Sequence, residues 1–136
     1  MRAVRLAVVV VLLVLGAVAF IKLGSRGANL VVGALLSIVS LGLLVVARVQ
    51  LGNSFTILPE ARTLVTHGLY RRIPDPLFAF LDLALVGAII VARQPWWFVP
   101  WATLVMAHVW ASRREAAVLE QAFGDAYLAY RRSTWW

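Results

Sequence analysis

Residues 28–47 are twenty consecutive positions without a charge, enough as a single helix to cross the hydrocarbon core of a bilayer. Residues 6–21 form a second uncharged run, preceded by Arg2 and Arg5. Residues 77–92 form a third, interrupted by one acid, Asp82. A fourth opens with Trp96, Trp97 and Trp101 and ends near Ala111. With 62% hydrophobic and only 14% charged residues, the chain lacks the polar surface that a soluble domain of 136 residues needs. The expected fold is all-α: one domain over 1–136, a polytopic membrane protein with four transmembrane helices near 4–22, 28–49, 76–92 and 95–112, and a C-terminal amphipathic helix.

Each run carries a second message. The first, with Ala17-Val18-Ala19 as a cleavage motif, also fits a signal peptide; we expect it to be kept as a span. In the second, Gly33, Ser37 and Ser40 recur at helical spacing, a face of small residues that lets another helix approach closely. The third and fourth are short for spans, so their hairpin is expected to tilt or to thin the bilayer. The tryptophans of the fourth read as an interfacial belt.

Charge sets the orientation. With four spans, ten arginines (Arg2, Arg5, Arg48, Arg62, Arg71, Arg72, Arg113, Arg114, Arg131 and Arg132) share one side, against Lys22, Arg26 and Arg93 on the other. Both termini are therefore expected in the cytoplasm. The net charge of +7 is accounted for by this bias and by anionic headgroups, and no nucleic-acid partner is expected.

Two polar stretches are left to carry chemistry. The first, residues 64–78, is basic and contains Pro74 and Pro76. The second, residues 112–130, repeats Leu119, Ala122, Phe123, Ala126, Tyr127 and Tyr130 at three and four residues, the pattern of an amphipathic helix, with a break or a close backbone contact expected at Gly124. One turn before Leu119 on that apolar stripe stands Glu115. It is either an inward carboxylate or the closing residue of a Ser112-x-x-Glu115 capping box. Arg71, Arg72, Arg113 and Arg114 have forked donors for a carboxylate or phosphate, and fit equally a cytoplasmic arginine cluster. Asp75 before Pro76 fits a helix start. Folding the third and fourth runs about Gln94 brings Asp82 and His108 to similar depth, where two ionisable groups in lipid are expected to pair.

The absence of cysteine excludes a disulfide framework, a thiol nucleophile and a thiolate metal site. There is no phosphate-binding glycine loop, no metal-ligand spacing and no nucleophilic serine elbow.

The order of motifs resembles the superfamily of isoprenylcysteine carboxyl methyltransferases and phospholipid methyltransferases, and in particular its small bacterial-type members. Those proteins carry Leu-Gly-x-x-Phe/Trp, then Leu-Val-x-x-Gly-Pro-Tyr-Arg-x-x-Arg-His-Pro-x-Tyr, a hairpin of two spans, and a closing Glu-Glu-x-x-Leu-x-x-x-Phe-Gly-x-x-Tyr-x-x-Tyr. Here stand Leu51-Gly52-Asn53-Ser54-Phe55, then Leu64-Val65, Gly68, Tyr70-Arg71 and Pro76, and finally Arg114-Glu115, Leu119, Phe123-Gly124, Tyr127 and Tyr130. The likeness covers about residues 50–132. It departs at Leu69, Pro74, Asp75, Phe78 and Ala116, where the pattern has Pro, Arg, His, Tyr and Glu.

The resemblance implies S-adenosylmethionine-dependent methyl transfer to a lipid-like or prenylcysteine-like acceptor at the cytoplasmic membrane face, with membrane lipids as partners. It implies Glu115 and Arg114 as catalytic residues. Gly68, Tyr70, Arg71, Asp75, Pro76, Phe123 and Tyr127 would be cofactor-binding. Tyr70, Arg71 and Asp75 are then expected beside Arg114, Glu115 and Phe123, around one cavity open to the cytoplasm. Pro74, Asp75 and Ala116 equally motivate a family member that has kept the fold, lost the site and binds a partner or lipid. A membrane reductase using a nicotinamide cofactor is a third reading.

Overall fold

The computed structural model describes residues 2–52 and 66–134. Residues 53–65 lie outside the described residues, and with them Asn53, Ser54 and Phe55 of the first motif, Pro59, Arg62, Leu64 and Val65. The same holds for residues 1, 135 and 136. Among the described residues all regular structure is helical: α1 (Arg2–Leu23), α2 (Arg26–Leu51), a 3-10 turn (Gly68–Arg71), α3 (Pro76–Ala92), a second 3-10 turn (Pro95–Trp97), α4 (Phe98–Phe123) and α5 (Asp125–Ser133).

Local chemistry sets most of these ends. Ser25 caps α2, its hydroxyl accepting from the Ala28 amide at 3.1 Å. α2 stops at Gly52 and α4 at Gly124, both at positive φ, where glycine costs no Cβ clash. Pro76 opens α3 from the first turn, as its missing N–H favours.

α2 and α3 run antiparallel and cross on small residues, as the Gly33-Ser37-Ser40 face predicts. A Cβ on Gly33 would sit 2.6 Å from the Gly87 carbonyl oxygen. The Ser37 hydroxyl donates to the Ala84 carbonyl at 2.9 Å, and Ser40 is buried. α2 buries this small, polar stripe and bares Leu30, Val31, Leu35, Ile38 and Val39. α1 completes the core, with Ala17 and Ile21 against Val86, Ile89 and Ile90 of α3 and Phe98 and Trp101 of α4.

A polar latch closes the end of the bundle where the α1–α2 and α3–α4 turns meet. Arg93, itself left-handed at φ 55°, donates from Nη1 to the Gly24 carbonyl at 3.0 Å. In the amide orientation that satisfies both its ends, buried Asn29 donates to the Phe20 carbonyl at 3.1 Å and accepts from Arg93 Nη1 at 2.9 Å.

Three expectations are corrected: the end of the fourth helix, the capping box and the interfacial place of Trp101. The fourth helix does not end at residue 112: α4 runs on to Phe123, because no glycine or proline stands between Ser112 and Gly124 and the Arg-Arg-Glu-Ala-Ala stretch favours helix. Ser112 is therefore inside a helix, and the capping-box reading of Ser112 and Glu115 falls. Trp101 is not part of an interfacial belt. It is buried, and its indole N–H donates to the Asp82 carbonyl at 3.1 Å, whereas Trp96 and Trp97 are exposed and stack on each other. Among the described residues α2 alone is both long and apolar enough to cross a membrane by length and composition; residues 7–23 and 76–92 are shorter apolar helices.

Candidate active site

The end opposite the latch gathers the polar residues. Gln50, near the end of α2, accepts from the Leu69 amide at 2.8 Å and so anchors the 3-10 turn. Gly68 enters that turn at φ 59°, which calls for glycine, and the end of the Gln50 side chain packs where a Cβ would stand. The turn buries Tyr70. The Tyr130 phenol on α5 donates to the Tyr70 carbonyl at 2.7 Å, which ties the last helix to the first polar stretch.

Asp75 holds the N-cap position of α3, but its side chain makes no cap bond. It accepts instead from the Ser112 hydroxyl of α4. Burial pushes its carboxyl above the ordinary value, against the pull of the Ser112 hydrogen bond and of Arg131. Glu115, one turn along α4, keeps part of its surface open, yet enough chain crowds its carboxyl to push it up too, and Asp75 adds repulsion. Tyr70, Tyr127 and Tyr130 are likewise raised, first by burial and then by these carboxylates. The Tyr70 hydroxyl is sealed from solvent and has no hydrogen-bond partner among the described residues.

A cavity of about 420 Å³ opens beside this cluster, between α1, α3 and α4. Asp75, Ser112, Arg113 and Arg131 line its polar end. Deeper in, its walls are apolar except where Asp82 and His108 face it. These two pair as the hairpin count predicts: His108 Nδ1 lies 2.9 Å from Asp82 Oδ1. Phe78 stacks on the imidazole, with centroids 4.6 Å apart.

Of the residues singled out from the sequence, Tyr70 and Tyr127 each fall within electrostatic reach of Asp75 and Glu115. Pro76 is buried beneath them at the head of α3, and Phe123 is half-buried at the end of α4. Arg71 is exposed, and Arg114 lies over the Trp110 ring, 4.6 Å from its centroid. Asp75 is the member of that set that lines the cavity. Sequence reasoning passed over Arg131 except as a count of charge, and read Ser112 as a cap. The Tyr130-Arg131 step in an amphipathic helix was the available signal for Arg131; nothing in the sequence pairs Ser112 with Asp75.

A family model described as Phospholipid methyltransferase matches residues 28–126, from α2 into α5. The chain belongs to this family. The match begins well before residue 50, where the sequence motifs start, so it takes in the α2–α3 crossing as well as the polar cluster. No curated protein and no solved structure matches the chain.

Proposed function

We infer that the chain is a membrane-embedded enzyme, a single domain over 1–136, which transfers a methyl group from S-adenosylmethionine to a lipid-like acceptor at the cytoplasmic face. The observation that carries this reading is a polar cluster of carboxylates and tyrosines that meets an apolar cavity through Asp75, beside Arg113 and Arg131. A phospholipid methyltransferase needs those two environments side by side.

The residues fit the cofactor. Asp75 and Glu115 are carboxyls pushed up by desolvation and suited to a ligand's ammonium, sulfonium or ribose hydroxyls, and the buried Tyr70 hydroxyl has no partner among the described residues. Arg113 and Arg131 suit a ligand carboxylate, and the rings of Tyr70, Phe123 and Tyr127 suit an adenine or a cationic sulfur. The exposed Arg71 and Arg114 would join by moving toward the ligand. When bound, S-adenosylmethionine supplies a methyl group made electrophilic by its sulfonium. The protein's share is to orient the two reactants and keep water out, which the apolar lining of the cavity serves.

Four spans, formed by α1, α2, α3 and the part of α4 before about residue 112, put this cluster on the side of the ten arginines and both termini in the cytoplasm. Supporting this is the inverted pattern of α2, small and polar inward, large and apolar outward. Calorimetric titration of the detergent-purified full chain with S-adenosylhomocysteine tests the enzyme reading. We expect saturable one-to-one binding; none at millimolar ligand overturns it.

A further inference from the structure

The Asp82–His108 pair is more than a means of burying two polar groups. One imidazole nitrogen is taken: Nδ1 meets the Asp82 carboxylate at 2.9 Å. With Asp82 ionised, its carboxylate only accepts hydrogen bonds; the neutral ring then carries its proton on Nδ1 and leaves a lone pair on Nε2. Nε2 makes no hydrogen bond among the described residues and is not among the sealed, unpartnered atoms, so it is open, and the space that His108 lines is the cavity. The ring is held there on two sides, by Asp82 at its edge and by Phe78 on its face. Asp82 is itself held, its backbone carbonyl bonded to the Trp101 indole. From Ser112, in the polar cluster, back to His108 is one turn of α4, about 6 Å along the helix. The base therefore stands one layer deeper than the residues assigned to the cofactor, on the apolar side where a lipid tail would lie against Val9, Leu13 and Val105.

We propose that His108, oriented by Asp82, accepts the proton that the acceptor gives up when it is methylated. This rests on the methyltransferase reading above. The step balances: the lone pair of the acceptor's N–H or O–H group forms the new bond to the methyl carbon. The carbon–sulfur bond breaks with its electron pair going to sulfur, which leaves a neutral thioether. The displaced proton passes to His108 Nε2. An acceptor with a proton to lose is thereby selected over a carboxylate, which needs no base and would face the Asp82 charge. His108 is the catalytic residue of the pair and Asp82 its positioning residue. Among the described residues the other charged groups facing the cavity are Asp75 from the head of α3, Arg113 from α4 and Arg131 from α5; the α1 residues that line it, Val9, Val10 and Leu13, are apolar.

The test uses the full chain in detergent, the variants His108→Gln and Asp82→Asn, and a total phospholipid extract as acceptor source. First, nitrogen NMR of the ligand-free wild type reads the ring directly: the proposal requires the proton on Nδ1 and an unprotonated Nε2 above the titration of the ring. A proton on Nε2 in the neutral ring overturns it. Second, His108→Gln should lower kcat by about 10²-fold or more, and Asp82→Asn by less, with the dissociation constant for S-adenosylhomocysteine unchanged in both. Turnover by His108→Gln within threefold of wild type overturns the dyad alone. Failure of wild type to bind S-adenosylhomocysteine would instead sink the methyltransferase reading, while the NMR measurement still decides the tautomer.

Discussion

The hydroxyl of Tyr130 donates to the backbone carbonyl of Tyr70 across 2.7 Å, joining residues sixty positions apart in sequence. Tyr70 sits on a 3-10 turn too short to hold itself, and Tyr130 on a helix of nine residues. Neither element has a core of its own. Their mutual bond, with the Gln50 side chain on the Leu69 amide, fixes the polar cluster to the end of the bundle.

Tyr130→Phe removes that bond and keeps the ring. The cost should be about 1 kcal/mol of stability, read as a lower melting temperature in detergent, with weaker binding of S-adenosylhomocysteine as the Tyr70 turn loosens. Unchanged melting and binding would mean that α5 docks through its rings alone.

The α2–α3 crossing should be intolerant of a single methyl. Gly33→Ala and Gly87→Ala each aim a Cβ at backbone across the contact, at 2.6 Å from a carbonyl oxygen, and backbone cannot step aside. Overpacking of this kind costs about 1–3 kcal/mol. Gly42→Ala, with nothing within 4 Å, should be neutral or stabilising, since alanine favours helix. Melting temperatures of the three variants decide it; equal tolerance at positions 33 and 42 would show that the crossing is loose.

Much of this was legible in the sequence. The small-residue face on α2 gave the crossing, because only glycine and serine at that spacing let two backbones come so close. Counting outward from Gln94 brought Asp82 to His108, because an antiparallel hairpin fixes depth from sequence alone. What was not legible came from side chains choosing between partners. Ser112 reads locally as a cap, but α4 has no reason to stop there, and the serine turns to Asp75 on another helix. Trp101 reads as a belt tryptophan until α3 offers its indole a carbonyl. The cavity depends on how α1, α3 and α4 pack around one another, which no one-dimensional period encodes.

Asp75 gives a pH signature. Its carboxyl is raised by burial, so between the ordinary carboxylate value of about 4 and its folded value the folded chain binds more protons than the unfolded. Stability from this group is therefore lost as pH rises through that window. Melting temperature measured against pH should fall more steeply in wild type than in Asp75→Asn, upward from about pH 4. Parallel profiles would mean that Ser112 and Arg131 offset the burial in full.

The sharpest test of the cofactor site is a pair of conservative changes on α4. Glu115 and Glu120 are both exposed in the isolated chain and less than two turns apart, but their surroundings differ. The Glu115 carboxyl is desolvated and pushed up by neighbouring chain and by Asp75, and it reaches the sealed Tyr70 hydroxyl electrostatically. Among the described residues it forms no ion pair, and the neighbouring Arg114 guanidinium lies over Trp110 instead. A desolvated carboxylate without a cation beside it suits a cationic ligand group. Glu115→Gln keeps the shape and removes the charge. A charge-assisted hydrogen bond is worth about 1.5–3 kcal/mol, so binding of S-adenosylhomocysteine should weaken by about tenfold to a hundredfold, with the melting temperature held or raised. Glu120→Gln should change neither. Equal binding by wild type and the Glu115 variant would remove Glu115 from the site and leave Asp75 as its one anchoring carboxylate.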